Sequence, residues 1–304
     1  MIKKTAAIVV TYNRKELLLQ NIEALLKQTM RNQLEIVIID NASTDGTVEA
    51  IKRYVDTGEI IYINTGSNLG GAGGFQYGIR YAAEHDYEFV WVMDDDCIPR
   101  ENTLEKFYEA DQILKGDYGF LSSKVLWKDL SICSMNIQRE TLTKNISKFD
   151  QKILPIVMAS FVSLFIKISV VKKVGLPIKE FFIWTDDWEY TRRISRTYPC
   201  YVVTDSIVIH KSTSNIGANI YSDSYDRLSR YKYLYRNDVY LYRREGVRGA
   251  IYEVFRLSGH IVKVIFKAED HKFERIKLII KGTISGLDFN PNIELVDVDD
   301  GTKI

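Results

Sequence analysis

Three consecutive carboxylates, Asp94, Asp95 and Asp96, end the apolar run at residues 89–94. Adjacent carboxylates repel one another, so such a cluster needs full solvation or a bound cation. In an extended chain Asp94 and Asp96 project to the same side and can share a divalent metal ion, while Asp95 points elsewhere. The pattern predicts a metal site; the alternative is a solvated acidic turn or a helix N-cap.

A second acidic group lies beside two tryptophans, in the order Trp184, Thr185, Asp186, Asp187, Trp188 and Glu189. Aromatic neighbours exclude water from a carboxylate and raise its proton affinity, which suits a general base that acts on a hydroxyl group. The alternative is a helix start, with Thr185 or Asp186 as the cap and the other acids complementing the helix dipole.

A histidine, His210, ends the short apolar run at 207–210. Its imidazole could complete an O,O,N ligand set with the aspartates at 94 and 96, and such a set suits Mn²⁺ or Mg²⁺. A structural or surface role is the alternative for a histidine at the end of a strand.

A glycine-rich segment, with four glycines between residues 70 and 74, offers close backbone approach to a ligand. It matches neither the dinucleotide-binding fingerprint nor the P-loop. Gly71 is a candidate for contact with a ligand; the alternative is a flexible turn before a helix.

The elements that must position these residues alternate between apolar runs and helical patterns. Strands are predicted at 6–10, 34–40, 60–64 and 89–94, with helices between them. Unbroken apolar strands separated by helices indicate an α/β domain with a parallel sheet that is buried on both faces. Beyond residue 116 the pattern becomes mixed, with strand candidates at 157–166, 201–204 and 207–210 and a loop that enters a helix at 181–196.

Polar residues follow the predicted strands at the ends where ligands collect in such sheets. Thr11 and Arg14 follow the first strand, Asp40 ends the second, and Asn68 follows the third. These side chains are therefore candidates for binding a ligand together with the acidic cluster.

The composition excludes several functional classes. The chain of 304 residues has a formal net charge of +1, which argues against a nucleic-acid-binding protein. Its three cysteines form no close pair, which suits a reducing compartment. The N-terminal apolar run is too short for a signal peptide, and no run reaches the roughly 18 to 20 residues that span a bilayer.

Taken together, the motifs resemble those of family 2 inverting glycosyltransferases, whose fold is the GT-A fold with a mostly parallel central sheet. They occur in the family's order: IVVTYNR at 8–14, VIIDNASTDGT at 37–47, NLGGAGGF at 68–75, the three aspartates at 94–96, DDWE at 186–189, and His210. The resemblance covers roughly residues 5–240.

This resemblance implies a role for each candidate. A UDP-sugar donor would be held by Thr11, Arg14, Asp40, Asn68, Gly71, Asp94 and Asp95. Asp94, Asp96 and His210 would bind Mn²⁺ or Mg²⁺ on the donor diphosphate. Asp187 would be the catalytic base, and Glu189 would help to position the acceptor.

Within the family, the glycine segment and the Trp-flanked acids look most like those of galactofuranosyltransferases, whose donor is UDP-galactofuranose. A rhamnosyltransferase that uses dTDP-rhamnose is the nearest alternative, and a noncatalytic sugar-nucleotide-binding partner in glycan assembly is another. A nucleotidyltransferase is disfavoured, because the basic glycine-rich phosphate loop of such enzymes does not occur near the N-terminus.

The C-terminal part differs in charge from the rest. We expect a catalytic domain at 1–225, a basic helical region at 226–282 and a poorly ordered acidic tail at 283–304. Residues 226–281 contain 14 Lys and Arg against 7 Asp and Glu, which suits an anionic membrane surface, although a basic solvated helix face is the alternative. Lipid-linked saccharide acceptors are common in the family, so a peripheral location on the cytoplasmic face of the cell membrane is expected. A homo-oligomer is compatible with the sequence.

One further motif, Tyr233 to Asn237, resembles a Tyr-x-Tyr-Arg-Asn signature that follows the catalytic domain in these transferases. An ordinary helix that packs its aromatic side chains on the catalytic domain is the alternative.

Overall fold

The N-terminal apolar run forms an inner strand of a nine-stranded sheet in the computed structural model, which describes residues 4–296. The strands are β1 (Thr5–Thr11), β2 (Leu34–Asp40), β3 (Ile61–Asn64), β4 (Phe89–Asp94), β5 (Cys97–Pro99), β6 (Phe120–Trp127), β7 (Ile153–Pro155), β8 (Leu164–Lys167) and β9 (Tyr201–His210). The helices are α1 (Lys15–Leu26), α2 (Thr47–Asp56), α3 (Gly70–Ala83), α4 (Thr103–Ile113), α5 (Ile168–Val174), α6 (Asp186–Ser195), α7 (Tyr225–Leu228), α8 (Tyr231–Arg243), α9 (Gly246–Lys267) and α10 (Lys272–Asp288).

The sheet has the order β3-β2-β1-β4-β8-β6-β9-β5. The ninth strand, β7, lies off this order and pairs with β9. The pairs among β3, β2, β1 and β4 are parallel, as is the pair of β6 with β9. The remaining pairs, which involve β5, β7 and β8, are antiparallel. The predicted α/β fold with its parallel N-terminal half is confirmed, and the strands contributed by the chain beyond residue 116 are mixed.

The two faces of β1 bury alternate side chains in two separate cores. Ile8 and Val10 belong to the core under α3, whereas Ala7 and Val9 belong to the core under α1 and α4. Because both faces are covered, the strands are apolar without alternation, and the polar side chains are confined to the strand ends.

The glycines of α3 bring this helix unusually close to β1. A Cβ atom on Gly78 would lie 2.1 Å from Ile8 Cγ2, and one on Gly74 would lie 2.6 Å from Val10 Cγ1. A Cβ atom on Gly71 would meet nothing within 4 Å. The glycine-rich segment is therefore the first turn of a helix, and Gly71 is the glycine that borders open space.

Two strand predictions need correction. The apolar run at 157–166 contributes only its end to β8, because the residues before Leu164 form a buried loop instead of a strand. The candidates at 201–204 and 207–210 are one continuous strand, β9, and its pairing with β6 shifts register between Ser123 and Lys124.

The C-terminal region consists of α7 to α10, with α8 packed against both α9 and α10. Helix α10 continues to Asp288, past the expected boundary at 282. The tail predicted to be poorly ordered, 283–304, is helical to Asp288, and residues 289–296 then return to the sheet domain, where Glu294 O accepts a hydrogen bond of 2.8 Å from Leu176 N. Residues 297–304 lie outside the described residues. Between residues 4 and 296, none of the helices combines the length and apolar character needed to cross a bilayer.

Candidate active site

The first acidic cluster lies in a turn between two strands. β4 ends at Asp94 and β5 begins at Cys97, so Asp95 and Asp96 are not in extended chain. β5 pairs antiparallel with the end of β9, which places Cys97 opposite His210. As a result His210 Nε2 lies 3.1 Å from Asp96 Oδ1.

The end of β1 supplies the partners of Asp95. Thr11 Oγ1 donates a hydrogen bond of 2.8 Å to Asp95 Oδ2, and Arg14 Nη1 lies 3.4 Å from Asp95 Oδ1. The same guanidinium nitrogen donates to Asp96 Oδ2 at 2.8 Å. The prediction that Asp95 points away from Asp96 is thus incomplete, because the turn allows both carboxylates to share Arg14.

The acidic cluster is electrostatically strained. Burial, with the charge of Asp96, raises the pKa of Asp94 to about 6, and burial raises the pKa of Asp95 to about 7. Burial also opposes ionisation of Asp96, but the nearby His210 and Arg14 outweigh it and lower the pKa of Asp96. Although burial disfavours its charge, the contact with Asp96 raises the pKa of His210 to about 10. The cluster is therefore stabilised by positive charge.

The donor set of this cluster fits a hard divalent cation. Asp96 Oδ1 is buried and receives no well-aligned hydrogen bond, although His210 Nε2 is close to it. Carboxylate oxygens and an imidazole nitrogen are ligands that Mn²⁺ and Mg²⁺ accept. Across the described part of the chain, no three acidic, histidine or cysteine side chains are already grouped as a metal site.

The second acidic cluster begins α6. Asp186 is buried, and Asp187 is partly exposed. Burial, followed by the charges of Asp186 and then Asp94, raises the pKa of Asp187 well above its ordinary value. Burial and, less strongly, Asp94 also raise the pKa of Asp186, to about 7. The charge of Asp94 acts on both residues, so the two acidic motifs, distant in sequence, lie near one another.

Glu189 has a different partner from the one expected. Its carboxylate forms a two-pronged ion pair with Arg193, at 3.0 Å from both Nε and Nη2. Arg193 also donates to the carbonyl oxygens of Val174 at 2.7 Å and Leu176 at 2.9 Å. Glu189 is buried, and through Arg193 it ties α6 to the end of α5; its role toward the acceptor stays a prediction.

The residues predicted to hold the donor shape the loops at the ends of β2 and β3. Asp40 is buried and accepts hydrogen bonds of 2.8 Å from Ser43 N and from the Tyr62 hydroxyl. Asn68 is exposed, and its Oδ1 accepts a hydrogen bond of 2.9 Å from Gly70 N at the start of α3. In the parallel sheet Thr11 lies opposite Asp40, and Val10 lies opposite Asp94. These loops and the acidic cluster therefore lie together at the carboxyl ends of the strands.

Two sets of polar residues near the candidate site were not predicted from the sequence. Asn136 contacts His210, and Asn237 and Asp238 contact the chain just before Asp187. Asn237 belongs to the Tyr-x-Tyr-Arg-Asn segment, which is the only signal that pointed to it. Asn136 lies in an irregular segment after β6 whose sequence resembles no motif.

Comparison with known proteins identifies the domain that contains the acidic turn and the loops after β1, β2 and β3. Residues 6–118 match the family model described as glycosyl transferase family 2. The chain carries a family 2 glycosyltransferase domain. The resemblance inferred from the motifs is confirmed, and the match ends before the elements that contain Asp187 and His210.

A relative of similar length is known. The chain is 25% identical over 298 residues to galactofuranosyltransferase GlfT1 of Mycobacterium tuberculosis, a match that covers 91% of this chain and 95% of GlfT1. The similarity thus includes the C-terminal helical region as well as the sheet.

Solved structures confirm the GT-A fold. TarS of S. aureus superposes with a TM-score of 0.58 at 14% identity, covering 94% of this chain and 44% of that one, so the transferase spans less than half of TarS. The mannosyltransferase PcManGT of Pyrobaculum calidifontis, solved in complex with GDP-Man and Mn²⁺, gives a TM-score of 0.53 at 16% identity, covering 94% of this chain and 74% of that one.

Proposed function

We propose that this protein is an inverting glycosyltransferase that transfers galactofuranose from UDP-galactofuranose to a saccharide acceptor, carried on a lipid, in the biosynthesis of a cell-surface polysaccharide. The observation that carries the proposal is the proximity of Asp187 to Asp94, whose charge contributes to the raised pKa of Asp187. Similarity to GlfT1 over nearly the full length of both chains supports the choice of donor.

The chain's own residues suit a single displacement. Asp187, whose raised pKa makes it a better proton acceptor, would take the proton of the acceptor hydroxyl. The hydroxyl oxygen then forms a bond to the anomeric carbon as the bond to the diphosphate breaks, and UDP leaves with that electron pair. One displacement of this kind inverts the anomeric centre.

The donor would lie over the edge of the sheet. Asp94, Asp96 and His210 would hold Mn²⁺ or Mg²⁺, which supplies Lewis-acid stabilisation of the leaving diphosphate when bound. Arg14 is half-exposed beside these carboxylates and would add positive charge to the same region. The nucleotide would lie against the loops shaped by Asp40 and Asn68 and against Gly71 at the start of α3.

A donor screen tests the proposal. Purified protein is given UDP-galactofuranose, UDP-galactopyranose, UDP-GlcNAc or dTDP-rhamnose with a synthetic galactosyl acceptor on a lipid, with Mn²⁺ or with a chelator. We expect nucleotide release and product only with UDP-galactofuranose and Mn²⁺, and an anomeric configuration opposite to that of the donor. Turnover of dTDP-rhamnose alone would identify a rhamnosyltransferase, and donor binding without turnover on any acceptor would identify a noncatalytic binding protein.

The outer side of α9 supports a membrane location. Seven apolar residues at helical spacing are exposed there: Val247, Ile251, Val254, Phe255, Val262, Ile265 and Phe266. We call them the α9 stripe. Phe255 and Phe266 are 73% and 80% exposed, which is unusual for phenylalanine on a surface that faces only water.

Exposed cations lie on two helices, α9 and α10. They are Arg248, Lys263, Lys267, Lys272, Lys277 and Lys281. An apolar stripe bordered by basic residues is the pattern of a helix that lies in the interface of an anionic membrane. We therefore infer that α9 rests on the cytoplasmic face of the membrane, where a lipid-linked acceptor is available.

Vesicle co-sedimentation tests this surface. The protein should bind phosphatidylcholine vesicles that contain phosphatidylglycerol at least tenfold better than phosphatidylcholine alone. The double change Phe255→Ser and Phe266→Ser should remove the binding, whereas Val48→Ser on α2, also an exposed apolar residue, should not. If the double variant instead changes a dimer to a monomer in sedimentation velocity without vesicles, the α9 stripe is a contact between copies of this chain.

A further inference from the structure

The segment just before α6 has an uncommon backbone. Phe182, Trp184 and Thr185 have φ values of 64°, 64° and 68°, and none of them is glycine. Ile183 N donates a hydrogen bond of 2.7 Å to Phe181 O, which closes a three-residue turn around Phe182. Such conformations persist in L-residues only where surrounding contacts hold them.

Asn237 on α8 provides most of these contacts. Its Nδ2 lies within hydrogen-bond distance of three carbonyl oxygens, at 3.0 Å from Phe181, 3.2 Å from Ile183 and 2.9 Å from Trp184. Its Oδ1 accepts a hydrogen bond of 3.0 Å from Arg236 Nε. The side chain is fully buried, so the amide nitrogen is fixed toward the segment and the amide oxygen toward the guanidinium.

The neighbouring residue, Asp238, holds the end of the segment. Its Oδ1 accepts a hydrogen bond of 2.6 Å from Thr185 Oγ1, and its Oδ2 pairs with Arg256 of α9 at 2.6 Å. Thr185 is the residue before α6, whose second residue is Asp187. The position of Thr185 therefore determines where α6 starts.

The same segment also touches the glycine helix. Phe182 O accepts a hydrogen bond of 3.2 Å from Ala72 N, and a Cβ atom on Gly70 would lie 2.1 Å from that oxygen. The segment at 181–185 thus lies between the start of α3, on the donor side, and the start of α6.

We propose that Asn237 and Asp238 are positioning residues, which hold the strained segment at 181–185 so that Asp187 presents its carboxylate to the acceptor hydroxyl. The inference rests on the role of Asp187 given under Proposed function. It makes the C-terminal helical region part of the catalytic apparatus, separate from any contact of α9 with a membrane.

Kinetics of matched variants test this role. Asn237→Asp keeps the shape but turns an oxygen toward three carbonyl oxygens, and Thr185→Val removes the hydroxyl that Asp238 binds. We expect each to lower kcat at least thirtyfold while the KM for the donor stays within threefold. Thr185→Ser, which keeps the hydroxyl, should recover most of the loss, and Lys232→Ala, at an exposed site on α8, serves as the control.

Hydrogen exchange supplies a second readout that needs no turnover. Amides of residues 182–189 should exchange at least tenfold faster in Asn237→Asp and Thr185→Val, with no change in β1 and β4. The proposal is overturned if these amides exchange as slowly in both variants as in the wild type. It is also overturned if exchange is fast but kcat is normal. Equal losses in kcat and donor affinity with a general drop in Tm would reduce these residues to a structural role. If the wild-type chain transfers no sugar, the proposed function fails, and the exchange rates still decide whether Asn237 and Asp238 hold the segment.

Discussion

Asn136 Oδ1 and His210 Nδ1 are joined by a hydrogen bond of 2.8 Å. Because Asn136 Oδ1 can only accept, His210 Nδ1 donates this bond, and Nε2 is turned toward Asp96. Asn136 thereby sets the ring orientation in which His210 and Asp96 could share one cation.

Asn136→Ala should therefore weaken metal binding without removing a ligand. We expect the Mn²⁺ concentration that gives half-maximal turnover to rise by about 10- to 100-fold, the usual effect of losing the partner that orients a histidine ligand. The measurement is UDP release against added Mn²⁺ after chelation, with Asn290→Ala at the surface as control. An unchanged Mn²⁺ requirement would show that His210 does not bind the metal.

Asp187→Asn should abolish transfer while leaving the donor bound. A neutral amide cannot accept the acceptor proton, so kcat should fall by about 10²- to 10⁴-fold, and the donor Kd, measured by calorimetry, should stay within twofold. Asp186→Asn is the matched comparison, since Asp186 is the more buried of the pair. If Asp186→Asn has the larger effect, the base is Asp186.

Glu189→Ala should lower stability instead of acceptor affinity. The change leaves the Arg193 guanidinium without its counterion in a buried place, which costs about 3–5 kcal/mol in the free energy of unfolding. Urea denaturation measures this loss, and the KM for the acceptor should be unchanged. A stable variant with a raised acceptor KM would restore the acceptor role that the sequence predicted.

Gly78→Ala and Gly71→Ala should separate packing from ligand contact. The new methyl group at residue 78 meets Ile8, so the free energy of unfolding should fall by about 1–3 kcal/mol. At residue 71 it meets nothing, so stability should stay within about 0.5 kcal/mol, whereas the donor KM should rise. A donor KM that does not change would remove Gly71 from the donor site.

Stability should decline from mildly to more strongly acidic pH because of His260 on α9. Burial, with the charges of Arg256 and Lys263, lowers the pKa of His260 to about 4. An unfolded histidine binds its proton near pH 6.5, so the stabilisation is complete above pH 6.5 and is lost as the pH falls toward 4. Melting curves from pH 7 to 4.5 should show a steeper decline for the wild type than for His260→Gln. Parallel declines would contradict this.

The sequence predicted the strands that carry the donor loops almost to the residue. β2 and β4 begin and end where the apolar runs do, because a strand buried on both faces has polar residues only at its ends. The strand predicted at 157–166 was wrong over most of its length. Apolar character reports burial, and here most of the buried residues belong to a loop.

The acidic residues of the candidate site stand out in the sequence, but their partners do not. The alternation rule assumes extended chain, and the turn at Asp95 and Asp96 does not obey it. Asn237 could not be assigned a role, because its contacts lie 53 to 56 residues away in the chain. Glu189 has the spacing of a helix-surface pair with Arg193, so the local pattern already contained the contact that it makes.

Glu294 attaches the segment after α10 to the sheet domain. Its carboxylate pairs with Arg80 of α3 and with Lys179, which lies just before the segment held by Asn237. The helical region is thus attached to the sheet domain both where the chain enters it and where the chain leaves it. Residues 289–296 thus form a second attachment of the helical region, and a chain shortened at Asp288 would lose this attachment while keeping every residue of the candidate catalytic cluster.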